Sequence, residues 1–184
     1  MLGSPHARSA PVDGPASATM VNPLAWPAIE AAARRGAPLV FVCSGNMVRS
    51  AFAELYGRHL DCPALLESCG TTYRNEALYP ETAAALRARG VDEEALSAFR
   101  PTHVDDRADW RGDEVFLAMR EHHLDALRDR SDAASGFSRS AFLLDRVEIA
   151  DPVLEGASFE ATFARVATCV DELVRRLREG AARA

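Results

Sequence analysis

From Ala37 onward the chain alternates short apolar runs with longer amphipathic stretches, and this alternation restricts its fold more than any other feature. The apolar runs have the length of β-strands, and the stretches between them carry apolar residues at the spacing of a helix face. Strands that are connected through helices form parallel sheets with right-handed crossovers. The pattern therefore predicts an α/β fold, a three-layer domain with a central four-stranded parallel sheet and helices on both faces.

The predicted elements follow from this periodicity. The last helix carries apolar residues at alternating spacings of four and three from Phe159 to Leu177, which makes one buried face, and Ser158 is a candidate N-cap. The predicted strands cover residues 38–43, 64–69, 113–119 and 141–145, and the predicted helices cover residues 50–60, 80–90, 120–129 and 158–178.

The first 36 residues precede this pattern and differ from it in composition. Residues 1–22 are rich in Pro, Ser, Ala and Gly without periodicity, which predicts a disordered N-terminal tail. Residues 23–36 are predicted to form a short helical extension, with Pro27 in its first turn and Gly36 at its end. The domain itself is expected to span residues 37–180.

Charge and hydropathy argue against several classes of partner. The formal net charge is −6 and no basic block is present, so nucleic acid is not expected as a partner. All 21 basic residues are Arg, which excludes the lysine of a nucleotide-binding P-loop and a Schiff-base lysine. No apolar stretch approaches the roughly 20 residues of a membrane helix, and the first 20 residues lack a hydrophobic signal segment. We therefore expect a soluble, cytoplasmic protein without membrane association.

The four cysteines do not form a metal-binding pattern. Cys43, Cys62, Cys69 and Cys169 are separated by 19, 7 and 100 positions, without a C-x-x-C pair or a histidine at ligand spacing. We expect no metal and no cofactor. Because nothing indicates secretion, four thiols in a reducing compartment are expected rather than structural disulfides.

One segment, the phosphate loop of residues 43–50, places a thiol and a guanidinium six residues apart on a predicted strand-to-helix turn. Amide N–H groups at a helix N-terminus can converge on an anion, and the same field favours the thiolate form of Cys43. Arg49 can donate two parallel hydrogen bonds to phosphate oxygens. The loop therefore predicts a site for phosphate-ester hydrolysis, with the phosphate held by Ser44, Gly45, Asn46, Met47, Val48 and Arg49.

Residues 40–54 resemble the N-terminal signature of the low-molecular-weight protein tyrosine phosphatase family. The likeness covers roughly residues 37–178 and continues through residues 68–71, 87–92, 103–107, 113–119, 123–127, 149–152 and 159–160. The resemblance implies a protein tyrosine phosphatase that acts on phosphotyrosine-containing proteins through a phosphocysteine intermediate, with phosphate or another oxyanion bound in the loop.

The resemblance also implies residue roles. Cys43 would attack phosphorus, and Arg49 would bind the phosphoryl group. Asp151 would protonate the leaving oxygen and later deprotonate the attacking water. Ser50 would donate its hydroxyl to the Cys43 sulfur. Without the resemblance, the Asp151-Pro152 pair is ordinary turn chemistry.

The phosphate loop is expected to be supported by three side chains. Asn46 suits a left-handed backbone position that lets the loop curl around an anion, and Ser68 and His103 would brace it from behind. Ser68 and His103 also fit a structural role unrelated to the loop. His122 and His123 are predicted to lie on a helix face and are assigned no function.

The chain departs from the family pattern beside the expected substrate. Val153 and Leu154 follow the Asp-Pro pair, where relatives often carry aromatic residues, and they are predicted to form part of the substrate wall. Tyr73 would supply an aromatic wall from the other side, although a plain surface tyrosine explains it equally well. Val48 stands where many relatives have a second cysteine, so we expect peroxide to inactivate Cys43 without a protective intraloop disulfide.

Two other functions remain open from the sequence. The changes at Val153 and Leu154 are compatible with a phosphoprotein-binding module that has little turnover. A thiol-dependent arsenate reductase would share the fold and the loop, but its further cysteines are expected near residues 80–100, where this chain has none.

Overall fold

The central sheet contains the four strands that the sequence predicts. A computed structural model describes residues 20–133 and 140–183. The strands are β1 (Leu39–Cys43), β2 (Leu66–Gly70), β3 (Val115–Ala118) and β4 (Ala141–Leu143), all parallel and in the order β2-β1-β3-β4. The predicted α/β class and four-stranded parallel sheet are confirmed. Strand β1, which leads into the phosphate loop, lies in the interior of the sheet.

Six α-helices are found among the described residues, and four of them correspond to those predicted from residue 50 onward. The helix Glu93–Ala98 was not predicted, because six residues are too few to show a helical period. None of the described helices is both long and apolar enough to cross a membrane. The helices are α1 (Trp26–Arg35), α2 (Arg49–His59), α3 (Pro80–Arg87), α4 (Glu93–Ala98), α5 (Glu121–Ala133) and α6 (Phe159–Ala181).

Side chains of β1 alternate between two cores, one on each face of the sheet. Leu39, Phe41 and Cys43 join the core formed with α1, α2, α3 and α6. Val40 and Val42 join the smaller core formed with α5 and the turn at Val104–Asp106. This alternation confirms the predicted layers. The apolar stripe of α6 is buried, and the Ser158 hydroxyl accepts a hydrogen bond from the amide of Ala161 at the start of the helix.

The N-terminal extension packs onto the domain. The amides of Met20 and Val21 donate to Glu172 Oε2 at 2.8 and 3.0 Å, and Val21 forms an antiparallel bridge with Asp145. Met20, Val21 and Asn22, the last three residues of the segment predicted as a disordered tail, therefore have backbone hydrogen-bond partners in the domain. Residues 1–19 of that tail lie outside the described residues. Helix α1 ends at Gly36, whose φ of 66° is easily adopted by glycine.

The parallel sheet brings four separate segments to one edge. The carboxyl ends of parallel strands meet at the same edge, where open α/β sheets bind ligands. The phosphate loop follows β1, residues 71–75 follow β2, residues 119–123 follow β3 and residues 144–155 follow β4. Four parts of the chain that are far apart in sequence therefore surround Cys43.

Candidate active site

Asn46 holds the phosphate loop in its curled conformation. Its φ of 52° lies in the left-handed region, which asparagine tolerates better than most residues. Its amide nitrogen donates to Ser50 Oγ at 3.0 Å and to Ser68 Oγ at 2.7 Å. Its amide oxygen accepts from the backbone N–H of Thr102 at 2.8 Å. Three hydrogen bonds thus offset the strain of the backbone and join the loop to the chain around β2.

Gly70, at the end of β2, lets the neighbouring segment lie against the loop. A Cβ atom at this position would come within 3.1 Å of the Ser44 carbonyl oxygen and of the Gly45 carbonyl carbon. Outside the loop, backbone N–H groups of Thr71 and Tyr73 donate to the carbonyls of Cys43 and Ser44 at 3.1 and 3.0 Å. The carbonyl groups of the loop are therefore engaged by the surrounding structure.

Several N–H groups of the loop have no acceptor among the described residues. These are the amides of Gly45, Asn46, Met47 and Val48. Unpaired amide donors at the start of a helix attract an anion, because the helix dipole adds positive potential at the same place. The loop consequently presents several amide donors that are suited to an oxyanion.

The Cys43 side chain is buried at the end of β1 and contacts Ser50. The Cys43 Sγ and Ser50 Oγ atoms are 3.0 Å apart. Since Ser50 Oγ already accepts a hydrogen bond from Asn46, its own hydrogen can be donated to sulfur. Such a donor stabilises negative charge on a thiolate.

Arg49 is 1% exposed and is held at both terminal nitrogens. Nη1 donates to the carbonyl of Ile149 at 2.7 Å, and Nη2 donates to Asp151 Oδ2, with the Ser44 hydroxyl 3.5 Å away. The Nε–H group is buried, and no described residue accepts from it. A buried donor without a partner costs about 1–3 kcal/mol. A bound oxyanion would remove that cost.

Asp151 reaches the same place from the acid loop, residues 149–155, which follows β4. Its Oδ1 accepts from the amides of Val153 and Leu154 at 2.9 and 3.2 Å, while its Oδ2 pairs with Arg49, 102 residues earlier in the chain. The amide of Ile149 donates to the Met119 carbonyl at 2.8 Å, which attaches the acid loop to the end of β3. The local turn orients the carboxylate, and the sheet places it beside the guanidinium.

A pocket of about 250 Å³ opens over these groups. Tyr73 is half-exposed at this pocket, and the predicted wall residues Tyr73, Val153 and Leu154 all line the same pocket as Cys43 and Asp151. Most of the lining is apolar. The complete lining consists of Cys43, Ser44, Gly45, Met47, Val48, Tyr73, Asn75, Asp151, Val153 and Leu154.

Comparison with protein families identifies this arrangement. The sequence profile described as low molecular weight phosphotyrosine protein phosphatase matches residues 38–183. The chain belongs to this family. It is thus a cysteine-dependent phosphatase, and the resemblance seen in the sequence is confirmed. No curated protein sequence gives a significant match.

Solved structures show the same fold at low sequence identity. The YwlE arginine phosphatase from Geobacillus stearothermophilus is 24% identical with a TM-score of 0.62, over 78% of this chain and 94% of that one. YfkJ from Bacillus subtilis is 20% identical with a TM-score of 0.63, over 78% and 95%. The low molecular weight protein tyrosine phosphatase SP-PTP from Streptococcus pyogenes is 19% identical with a TM-score of 0.60, over 76% and 91%.

The two residues expected to brace the phosphate loop of this phosphatase differ in their contacts. Ser68 accepts directly from Asn46 and donates to the buried carboxylate of Glu54. Among the described residues, His103 makes no hydrogen bond to the loop, and its Nδ1 accepts from the amide of Asp105 at 3.3 Å. The neighbouring Thr102 contacts Asn46 instead. Thr102, the residue before His103, therefore supplies a hydrogen bond that holds the loop.

His123 was assigned no function from the sequence, yet the structure buries it beside the phosphate loop. Its Nε2 atom is 3.1 Å from Ser44 Oγ, and its side chain is fully buried. The neighbouring His122 is exposed, as expected for a helix surface. One feature of the sequence could have indicated this position. His123 lies in the first turn of the helix that follows β3, and that turn is at the same edge of the sheet as the phosphate loop.

Proposed function

We propose that this phosphatase hydrolyses phosphotyrosine in protein substrates through a phosphocysteine intermediate on Cys43. The proposal rests mainly on one observation, the unpartnered Nε–H of buried Arg49 beside the free amides of the phosphate loop. These donors match the oxygens of a phosphoryl group, and the Cys43 sulfur and the Asp151 carboxylate border the same pocket.

In the first step, the Cys43 thiolate attacks phosphorus while the bond from phosphorus to the leaving oxygen breaks. A bound phosphoryl group competes with Asp151 for the Arg49 guanidinium, so substrate binding releases the Asp151 carboxyl group. Asp151, carrying a proton, transfers it to the leaving oxygen. Arg49 and the loop amides stabilise the charge on the equatorial oxygens.

In the second step, water attacks the phosphocysteine. Asp151, now a carboxylate, accepts a proton from this water as the new oxygen–phosphorus bond forms. The sulfur–phosphorus bond breaks and returns the thiolate, which is stabilised by the hydrogen bond from Ser50. Inorganic phosphate then leaves, and Asp151 again carries the proton that the next first step requires.

The pocket favours an aromatic phosphate ester. Tyr73, Met47, Val153 and Leu154 offer apolar contacts to a ring. Among the described residues that line the pocket, Asp151 alone carries a carboxyl group, and the proposed mechanism uses it as the acid for the leaving oxygen. A phosphorylated guanidinium would therefore lack an additional acceptor. This supports phosphotyrosine over phosphoarginine as the substrate of this chain.

We also place the enzyme in the cytoplasm. All four cysteines are free thiols, and Cys69 belongs to the core on the opposite face from Cys43. Burial raises the pKa of the Cys69 thiol, which makes it a poor nucleophile. This arrangement suits a reducing compartment and gives no support to an arsenate reductase, which needs further reactive thiols.

Hydrolysis of matched substrates tests the proposal. Peptides carrying phosphotyrosine, phosphoserine or phosphoarginine in one sequence context should show the highest kcat/KM for phosphotyrosine. Cys43→Ser should abolish turnover, and acid quenching of wild type should yield a peptide with a phosphoryl group on Cys43. A preference for either other peptide would overturn the substrate class. Tight phosphopeptide binding by wild type without turnover would instead identify a binding module.

A further inference from the structure

The Ser44 hydroxyl lies at the pocket, and the roles assigned so far do not use it. The sequence indicated only that the backbone of this residue contributes to the phosphate loop. In the structure the side chain is buried, lines the pocket beside Cys43 and contacts His123 at 3.1 Å. Whether the Ser44 hydroxyl donates or accepts in this contact depends on which nitrogen of His123 carries the proton.

The backbone of Arg120 determines the tautomer of His123. The Arg120 N–H group donates to His123 Nδ1 at 3.1 Å, so this nitrogen must present its lone pair. Burial, together with the charges of His122, Arg49 and Arg120, lowers the pKa of His123 to about 2. The ring is therefore neutral at ordinary pH, and its proton resides on Nε2. His123 consequently donates to Ser44 Oγ.

A second donor approaches the same oxygen. Arg49 Nη2 lies 3.5 Å from Ser44 Oγ. With His123 and Arg49 both directed at its lone pairs, the hydroxyl has only its hydrogen left to offer. No described residue accepts that hydrogen.

From this geometry we infer that Ser44 Oγ–H donates a hydrogen bond to a phosphoryl oxygen in the pocket, and that His123 is the positioning residue that orients it. The inference rests on the proposed function for its choice of ligand. It adds a side-chain donor to the backbone amides and Arg49. It also gives α5 an indirect part in binding the phosphoryl group, through His123 and Ser44.

Substitutions at the two positions, with inorganic phosphate as the probe, test this inference. A hydrogen bond to a charged group is worth roughly tenfold or more in affinity. Ser44→Ala should therefore raise the inhibition constant of phosphate and lower kcat/KM for an aryl phosphate, each by about tenfold. Ser44→Thr keeps the hydroxyl and should recover most of the loss. Thermal unfolding of each variant verifies that the domain is intact.

His123 should act only through Ser44. His123→Leu is expected to weaken phosphate inhibition as much as Ser44→Ala does, and the double variant should be no worse than Ser44→Ala alone. His123→Gln, which retains a donor near the position of Nε2, should restore part of the affinity. The matched control is His59→Ala, which removes an exposed histidine at the end of α2 and should change nothing.

Two outcomes would overturn the inference. One is unchanged phosphate inhibition in Ser44→Ala, and the other is fully additive losses in the double variant, which would show that His123 acts independently of Ser44. Calorimetric titration of phosphate into the same proteins separates this question from the proposed function. If wild type hydrolyses none of the phosphopeptides, the proposed function fails, while the comparison of phosphate affinities still decides the role of Ser44.

Discussion

Arg120 connects the two flanks of the acid loop, and its removal should impair Asp151 specifically. Its Nη2 pairs with Glu148 Oε2 at 2.8 Å, and its Nη1 pairs with Glu155 Oε1. These glutamates lie three residues before and four residues after Asp151. Replacing Arg120 with Met keeps the aliphatic packing and removes both pairs. The acid loop would then be fixed to the end of β3 mainly through Ile149.

The size of the effect follows from the exposure of the pairs. The side chains of Arg120, Glu148 and Glu155 are 24%, 37% and 38% exposed, so solvent screens them. Each such pair contributes about 0.2–1 kcal/mol. Two pairs correspond to about a two- to thirtyfold change in the population of the ordered loop, since 1.36 kcal/mol is a factor of ten. In Arg120→Met, kcat/KM for substrates with poor leaving groups should therefore decrease by a factor within that range.

The assay is kcat/KM across aryl phosphates whose leaving groups differ in basicity. A poor leaving group requires a proton from Asp151. Arg120→Met should therefore slow the hydrolysis of substrates with poor leaving groups most and leave that of substrates with good leaving groups nearly unchanged. High salt screens the same ion pairs, so it should also lower the wild-type kcat/KM for substrates with poor leaving groups. Arg175→Met, which removes an exposed pair with Glu179 on α6, is the matched control. Equal losses for all leaving groups, or no loss, would refute the reasoning.

Four further predictions concern other parts of the molecule. Asp151→Ala should slow substrates with poor leaving groups by about a hundredfold or more, measured by steady-state kinetics; uniform losses would remove its role as the acid. Brief peroxide treatment should inactivate Cys43 beyond rescue by thiol, and recovered activity with a Cys43-linked disulfide in a peptide map would contradict this. Gly70→Ala would place Cβ 3.1 Å from the backbone of the phosphate loop and should lower kcat/KM about tenfold. Burial raises the pKa of Glu54, so the stability linked to its protonation is complete below its unfolded pKa and is lost as pH rises through the higher folded value. Glu54→Gln should therefore flatten the decline in unfolding free energy that begins as pH rises above the ordinary glutamate value of 4.5. An unchanged slope would show that Glu54 is not the source of that decline.

Elements with a local period could be predicted well. Strands β1 to β4 lie within one or two residues of the predicted ranges. The signal is clearest for β1 and β3, because a short, continuous apolar run is typical of a buried strand. Helix α6 was equally clear from its apolar stripe. Helix α4 was missed, since so short a helix depends on packing against the domain more than on its own pattern.

Contacts between distant segments could be predicted less well. The family resemblance pointed to Cys43, Arg49 and Asp151, and the fold brings Cys43 and Asp151 to one pocket, with buried Arg49 paired to Asp151. It did not point to Thr102 as the residue that holds Asn46, nor to His123 as the partner of Ser44. Each of these pairs joins two segments that are far apart in the chain, and neither sequence segment contains information about the other.

By itself, the sequence determined the layered α/β architecture and the position of the phosphate loop between β1 and α2, because hydrophobic periodicity and turn chemistry act over a few residues. Only the tertiary structure decided which side chains complete the site. Hydrogen bonds such as those from Arg49 to Asp151 and from His123 to Ser44 depend on distances of a few ångströms between chain segments that only the packed sheet brings together.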